Sequence, residues 1–301
     1  MVAVGPAIGG RAASSRWVVA AGVSAGPGVG SRNVALAVRS GWHDVAPLPF
    51  AEGTVLGVRS PAIAPGSPRR ERLRDLAVGA LEDVSARLDL GLLPLVLALP
   101  SPVVEDEIGD PVSLAREIGD RSPRLVDPRS VQAFAGDRAV PYALARAFEL
   151  LEQEKAPAVI VGATDSLVTP EAIADMVSRG RVSPAGWQGG PVNGGVMPGE
   201  GAAFVVLSKN AAHRPGAIAE LAQVSTEEAT PHDVEAPLVV CLERASTGLE
   251  SIWLLSDVTG EAAQILALGD ALRDLKAKRQ KDGGLVVRHE PLPGSLGDLG
   301  V

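Results

Sequence analysis

Residues 193–209 read NGGVMPGEGAAFVVLSK: four glycines and a proline surround a single glutamate, and an apolar run follows at once. No other stretch constrains the fold as strongly. Glycine is needed where backbone turns sharply or approaches another layer closely. An apolar run without alternation reads as a strand buried on both faces, here Ala202–Leu207. A carboxylate enclosed by glycines accepts hydrogen bonds from backbone N–H groups and fixes the turn. That is the favoured role for Glu200 between Gly199 and Gly201, with general base as the alternative.

The rest of the chain repeats the same grammar. Trp17–Val23 is a short apolar β run ended by Gly26-Pro27-Gly28, and a helix follows from Ser31 to about Ser40. Leu73, Leu76, Leu81, Val84 and Leu88 recur at helical spacing, which predicts a helix from Pro68 to about Leu90. Pro94–Leu99 reads as a buried strand, Ala139–Glu154 as an amphipathic helix, and Ala158–Gly162 as a strand without alternation. Ala217–Val224 alternates and is expected to pair with Ala202–Leu207 as a hairpin. Beyond a linker at Ser225–Pro237, a second unit holds a strand at Ile252–Leu255, a helix at Glu261–Leu275 and a strand at Gly284–Val287. Continuous β runs separated by amphipathic helices predict an α/β fold with a parallel sheet covered on both faces.

With 301 residues, 46% of them hydrophobic, the chain supports a large core. The formal net charge of −8 and the absence of a basic face speak against nucleic acid, and the Lys276–Lys281 run reads as a solvated helix end. One cysteine, Cys241, excludes an internal disulfide, and the four histidines lack metal-ligand spacing. No metal and no cofactor are expected. No apolar run approaches the roughly 20 residues of a membrane span, so no membrane role is expected and a cytoplasmic protein is.

Three further stretches bear on chemistry. Gly22-Val-Ser24-Ala-Gly26 fits the G-x-S-x-G elbow of serine hydrolases, with Ser24 as nucleophile, but Pro27–Gly30 prolongs the loop before any helix. Gly26, Gly28 and Gly30 miss the dinucleotide fingerprint because Ser31 stands where its third glycine belongs. Cys241, in an apolar run with no histidine near in sequence, reads as a buried structural thiol.

Taken together, Val18–Gly26, Ala37–Gly41, Ala158-Val-Ile-Val-Gly-Ala-Thr-Asp-Ser166 and Val196-Met-Pro-Gly-Glu-Gly-Ala-Ala-Phe-Val-Val-Leu207 resemble the β-ketoacyl synthases of the thiolase-like fold. The third stretch is similar to that family's "GG.D" strand end and the fourth to its "PGEGA" turn. The resemblance covers nearly the whole chain from residue 17, loosely over 45–130. It implies a layered α-β-α-β-α architecture, with a leader at 1–16, a complete first half at 17–228 and a partial second half at 229–301.

Members of this family need a thiolate to take up the acyl group and two histidines to stabilise the oxyanion and support decarboxylation. Matched to this chain, the cysteine position falls at about Gly136 or Asp137, the "HGTGT" histidine at Asp257 and the "GH" histidine at Asp298. All three depart from the family pattern, and a carboxylate repels an oxyanion. The resemblance therefore implies a catalytically degenerate homologue acting as an accessory or binding subunit in fatty-acid or polyketide-type biosynthesis. Acyl carrier protein or acyl-CoA would be its partner, in a homodimer or in a heterodimer with a ketosynthase, paired through the strand Ala158–Gly162. The alternative is an active acyl-thioester enzyme, a 3-oxoacyl-acyl-carrier-protein synthase or an acyltransferase or hydrolase, with displaced catalytic residues.

Overall fold

The computed structural model describes residues 16–40, 45–103, 107–136, 138–182, 196–221, 235–247, 251–256, 262–279 and 286–291. Its centre is a mixed sheet. Strand β1 (Arg16–Ala25) is followed by the short β2 (Gly28–Val29), helix α1 (Ser31–Ser40), and the hairpin β3 (Val45–Phe50) and β4 (Gly53–Val58). Then come α2 (Arg69–Ser85), β5 (Leu93–Leu99), α3 (Pro111–Asp120), β6 (Val126–Ala135), α4 (Ala139–Glu152), β7 (Ala158–Ser166), α5 (Pro170–Ser178) and β8 (Glu200–Ser208). A 3-10 helix at Ala211–Gly216 leads into β9 (Ala219–Leu221).

The strand order is β2-β1-β8-β7-β5-β6. Strands β5, β6 and β7 are mutually parallel, whereas β8 runs antiparallel to both of its neighbours, β7 and β1. The sheet is therefore mixed, which corrects the expectation of a parallel one. The apolar run after the glycine-rich turn is buried as the sequence predicts: Phe204, Val206 and Leu207 are buried between the layers.

Two sets of helices cover the sheet. Leu73, Leu76, Ala77, Ala80, Leu81 and Val84 form one stripe of α2, spaced by three and four residues, and join Leu95, Leu97, Ile160, Phe204 and Val206 in the main core. Helix α3 extends this layer. Asp110 caps it by accepting the Ser113 N–H at 2.7 Å, with Pro111 in its first turn. On the other face α4 sets Ala143, Ala147 and Leu151 against Val96, Ala98, Val159 and Val161. Alternate residues of β7 thus feed opposite cores, as a period of two requires.

Several elements differ from expectation. Helix α2 stops at Ser85 instead of near Leu90, and Leu88 and Leu90 pack back against the main core. Strand β9 pairs with β1, not with β8, because β8 already has β1 and β7 on its two sides. Strand β7, with Ala158–Gly162, is also paired on both sides, by β5 and β8, so no free edge is left there for a second subunit. Among the described residues β6 forms one margin of the sheet, paired with β5 alone, while β2 and β9 lie at the other margin beside β1.

Further along, α6 (Glu235–Ala245), β10 (Ser251–Ser256), α7 (Ala262–Arg279) and β11 (Val286–Pro291) form a second group. Strands β10 and β11 are parallel, and Val239, Leu242, Ala271 and Leu275 form the helix-side core. Helix α6 begins at Glu235, inside what the sequence suggested was linker.

Candidate functional site

Ligand sites in α/β sheets gather at the carboxyl ends of parallel strands. Here that rim is made by Ser101 after β5, Gly136 after β6, Asp165 and Ser166 at the end of β7, and the turn that opens β8.

The turn is strapped from both sides. The Pro198 carbonyl accepts the Val58 N–H at 2.9 Å, and the Gly199 carbonyl accepts the Leu167 N–H at 2.9 Å. At Gly57 a side chain is impossible without movement, since a Cβ there would lie 2.7 Å from the Pro198 oxygen. Glycine is therefore required for the hairpin β3–β4 to approach the turn.

Glu200 is fully buried and each of its oxygens is occupied. Oε1 accepts the Ser60 N–H at 2.7 Å, and Oε2 accepts the Ser166 hydroxyl at 2.9 Å. Nη1 of Arg72, also buried, lies 3.4 and 3.3 Å from the two oxygens. Three residues earlier on α2, Arg69 donates to Asp165 at 2.8 Å through Nη2 and to Glu107 at 2.9 Å through Nη1. Burial pushes the Glu200 carboxyl up from its ordinary value against the pull of Arg72, and burial pushes Arg72 down. For Arg69, burial also works against the charge, but Asp165 and Glu107 together raise it. The two carboxylates at this rim thus face arginines and backbone. Glu200 ties the end of β7, the Ser60 loop, the turn and α2 into one body.

Arg69 and Arg72 were not singled out in the sequence. A signal existed: two arginines three residues apart lie beside Leu73 and Leu76 on the apolar stripe, and a charge in that position must be paired.

The elbow between β6 and α4 is the other feature of the rim. Gly136 has φ +104°, a conformation that favours glycine. Its N–H donates to the Leu99 carbonyl at 3.1 Å, and its own carbonyl accepts the Ala139 N–H at 2.9 Å. Asp137 falls in this connection but lies outside the described residues, as do Asp257 and Asp298.

Ser24 is placed differently from a nucleophile elbow. It sits within β1, paired to Val29 on one side and Ala202 on the other, and only 2% of it is exposed. A Cβ at Gly79 of α2 would lie 3.3 Å from its Oγ, so the hydroxyl faces the underside of that helix. The extended pairing overrides the motif, because the chain makes a second strand before any helix begins. Cys241 lies on α6 and is half-buried, more exposed than the buried thiol expected from its apolar run. Among the described residues no three metal-ligating side chains cluster, and no helix is long and apolar enough to cross a membrane.

No family model matches the sequence, and no curated protein sequence does. Solved structures do match. A type II polyketide synthase acyl-carrier protein in complex with its ketosynthase bound to the hexaketide aligns at TM-score 0.69 and 15% identity. That match covers 95% of this chain and 82% of the other. The fold is that of the ketosynthases. The ishigamide ketosynthase/chain length factor aligns at TM-score 0.67 and 21% identity, over 95% of this chain and 82% of that one. The oxazolomycin ketosynthase domain of Streptomyces albus JA3453 gives TM-score 0.69 at 14% identity, and this chain spans 60% of its length. In this chain the carboxyl-end rim of that fold holds the glycine-rich turn, the β6–α4 elbow and the buried arginine pairs described above.

Proposed function

We propose that this chain is a catalytically degenerate β-ketoacyl synthase homologue that works as an accessory or binding subunit in fatty-acid or polyketide-type biosynthesis. One observation carries the reading. The elbow Ala135–Arg138 contains no cysteine, and the only cysteine in the sequence, Cys241, belongs to α6. A misjudged register at Gly136 or Asp137 does not alter this, because no position in the elbow has a thiol to form an acyl thioester. Aspartates at 257 and 298, where the resemblance puts histidines, agree with lost condensation chemistry.

A binding role needs a surface, and β6 supports one. Near its start β6 holds Asp127, Pro128 and Arg129, but its second half Val131–Ala135, VQAFA, carries no charge and no proline, the features that usually keep a free edge from pairing. Phe134 packs towards Tyr142 of α4 at the same margin, with ring centroids 6.3 Å apart. The partner is a second copy of this chain or an active ketosynthase, joined edge to edge so that one sheet runs through both subunits. An acyl carrier protein or acyl-CoA would then engage the assembled pair.

The test is association measured by light scattering, for the chain alone and mixed with a type II ketosynthase and its carrier protein. The expected result is a dimer of one kind or the other, reduced to monomer by Phe134→Lys while circular dichroism shows the fold intact. A wild-type monomer indifferent to both partners contradicts the reading.

A further inference from the structure

At the end of β8 opposite the glycine-rich turn, Val19, Leu88, Leu90, Ala212, His213 and Gly216 line an open cleft of about 250 Å³. Its apolar side is the margin of the main core, where Val19, Leu88 and Leu90 remain only partly buried. The one polar side chain among these lining residues is the imidazole of His213, whose hydrogen bonding is fixed by Ser208.

The Ser208 hydroxyl has one proton, and it donates that proton to the Pro157 carbonyl at 3.0 Å. Its lone pairs are then left for the Asn210 N–H at 3.1 Å and for Nδ1 of His213 at 2.9 Å. Two donors therefore meet this oxygen, so the neutral ring carries its proton on Nδ1. Nε2 is left as a bare acceptor on the ring's far side. An apolar wall and one side-chain acceptor make a site with a definite chemical preference.

We propose that this cleft binds a small neutral molecule with a single-ring or short-chain apolar body and a hydroxyl that donates to Nε2 of His213. The space suffices, since apolar cavities of about 150 Å³ already take up benzene. The apolar body covers Val19, Leu88 and Leu90, and the hydroxyl completes the ring's hydrogen bonding. The site lies at the other end of the sheet from the β6–α4 elbow and is independent of the ketosynthase reading.

Phenol and toluene are the probes, because they share a ring and differ in the donor. Titrated into the full chain, phenol is expected to shift the methyl resonances of Val19, Leu88 and Leu90 and the Nε2 resonance of His213. Before addition, the imidazole nitrogens should show a protonated Nδ1 and a bare Nε2. Phenol should bind about fivefold more tightly than toluene, the factor one net hydrogen bond supplies. In His213→Phe that preference should vanish while toluene still binds. Unshifted methyls, equal binding of both probes with Nε2 unmoved, or a phenol preference that survives His213→Phe would each overturn the proposal.

Discussion

Arg72→Met is expected to cost about 3–5 kcal/mol, because it leaves the Glu200 carboxylate buried without its cation. In a domain of this size that lowers Tm by roughly 10 °C. The companion variant, Arg72→Met with Glu200→Gln, should recover most of the loss. Only Nη1 of Arg72 reaches the carboxylate, at 3.3 Å or more, while Nε and Nη2 are buried with no hydrogen-bond partner among the described residues. A pair so incompletely satisfied offsets little of its own desolvation, so removing both charges together is far milder than removing one.

The pH dependence of that loss follows from the direction of the Glu200 shift. Burial already holds its folded pKa above the unfolded value, and loss of Arg72 raises it further. For a group shifted upward, the linked stability is fully present below the unfolded pKa and is lost as pH rises through the folded pKa. Arg72→Met should therefore lie closest to wild type in acid and fall away towards neutral pH. Urea denaturation at about pH 5 and about pH 8 measures this directly. A deficit equal at both values, or below about 1 kcal/mol throughout, contradicts the role given to the pair.

Gly22→Ala is expected to be as damaging, by about 3 kcal/mol or more, although it adds a single methyl group. The new Cβ would sit 2.1 Å from the Ala80 carbonyl oxygen and 2.8 Å from the Val84 nitrogen. Both are backbone atoms of α2, held by the helix's own hydrogen bonds, so no side chain can rotate away. Relief requires lifting α2 off β1, and with it the arginines that reach Asp165 and Glu200. A control is Gly269→Ala on α7, where nothing lies within 4 Å of the added Cβ. In that helix interior, the same change should stabilise by about 0.5–1 kcal/mol. Thermal melts of the two variants should move in opposite directions; a Gly22→Ala melt at the wild-type temperature would contradict the packing of α2 on β1.

Much of this architecture was legible where local pattern and tertiary role agree. The glycine-rich turn announced β8, the leucine spacing announced α2, and the unbroken apolar run at Ala158 announced β7. The direction of β8 was not legible, since an apolar run says that a strand is buried but not which way its neighbours run. Strand β6 was hidden by Asp127-Pro-Arg-Ser130, which reads as a turn. In the structure the pairing shifts there, from Leu93 with Val126 to Leu95 with Val131, and the strand resumes beyond. With β6 unread, Ala158–Gly162 looked like an edge, whereas in the structure β5 and β8 pair with that strand on both sides.

The site was legible in part, for a similar reason. The enclosure of Glu200 by glycines pointed to a buried carboxylate, but its cation lies 128 residues away on another element. Ser24 shows the converse. A five-residue motif matched, but pairing with Val29 and Ala202 on both sides holds it in a strand.

The central claim is that acyl thioesters find no nucleophile at the β6–α4 elbow. Intact mass of the full chain after incubation with acyl-CoA and acyl-carrier thioesters, followed by peptide mapping, tests it most directly. The account predicts an unchanged mass. An acyl adduct mapped to the elbow would contradict it, and an adduct on Ser24 or Cys241 would leave the elbow claim standing but move the thiol or hydroxyl chemistry elsewhere in the chain.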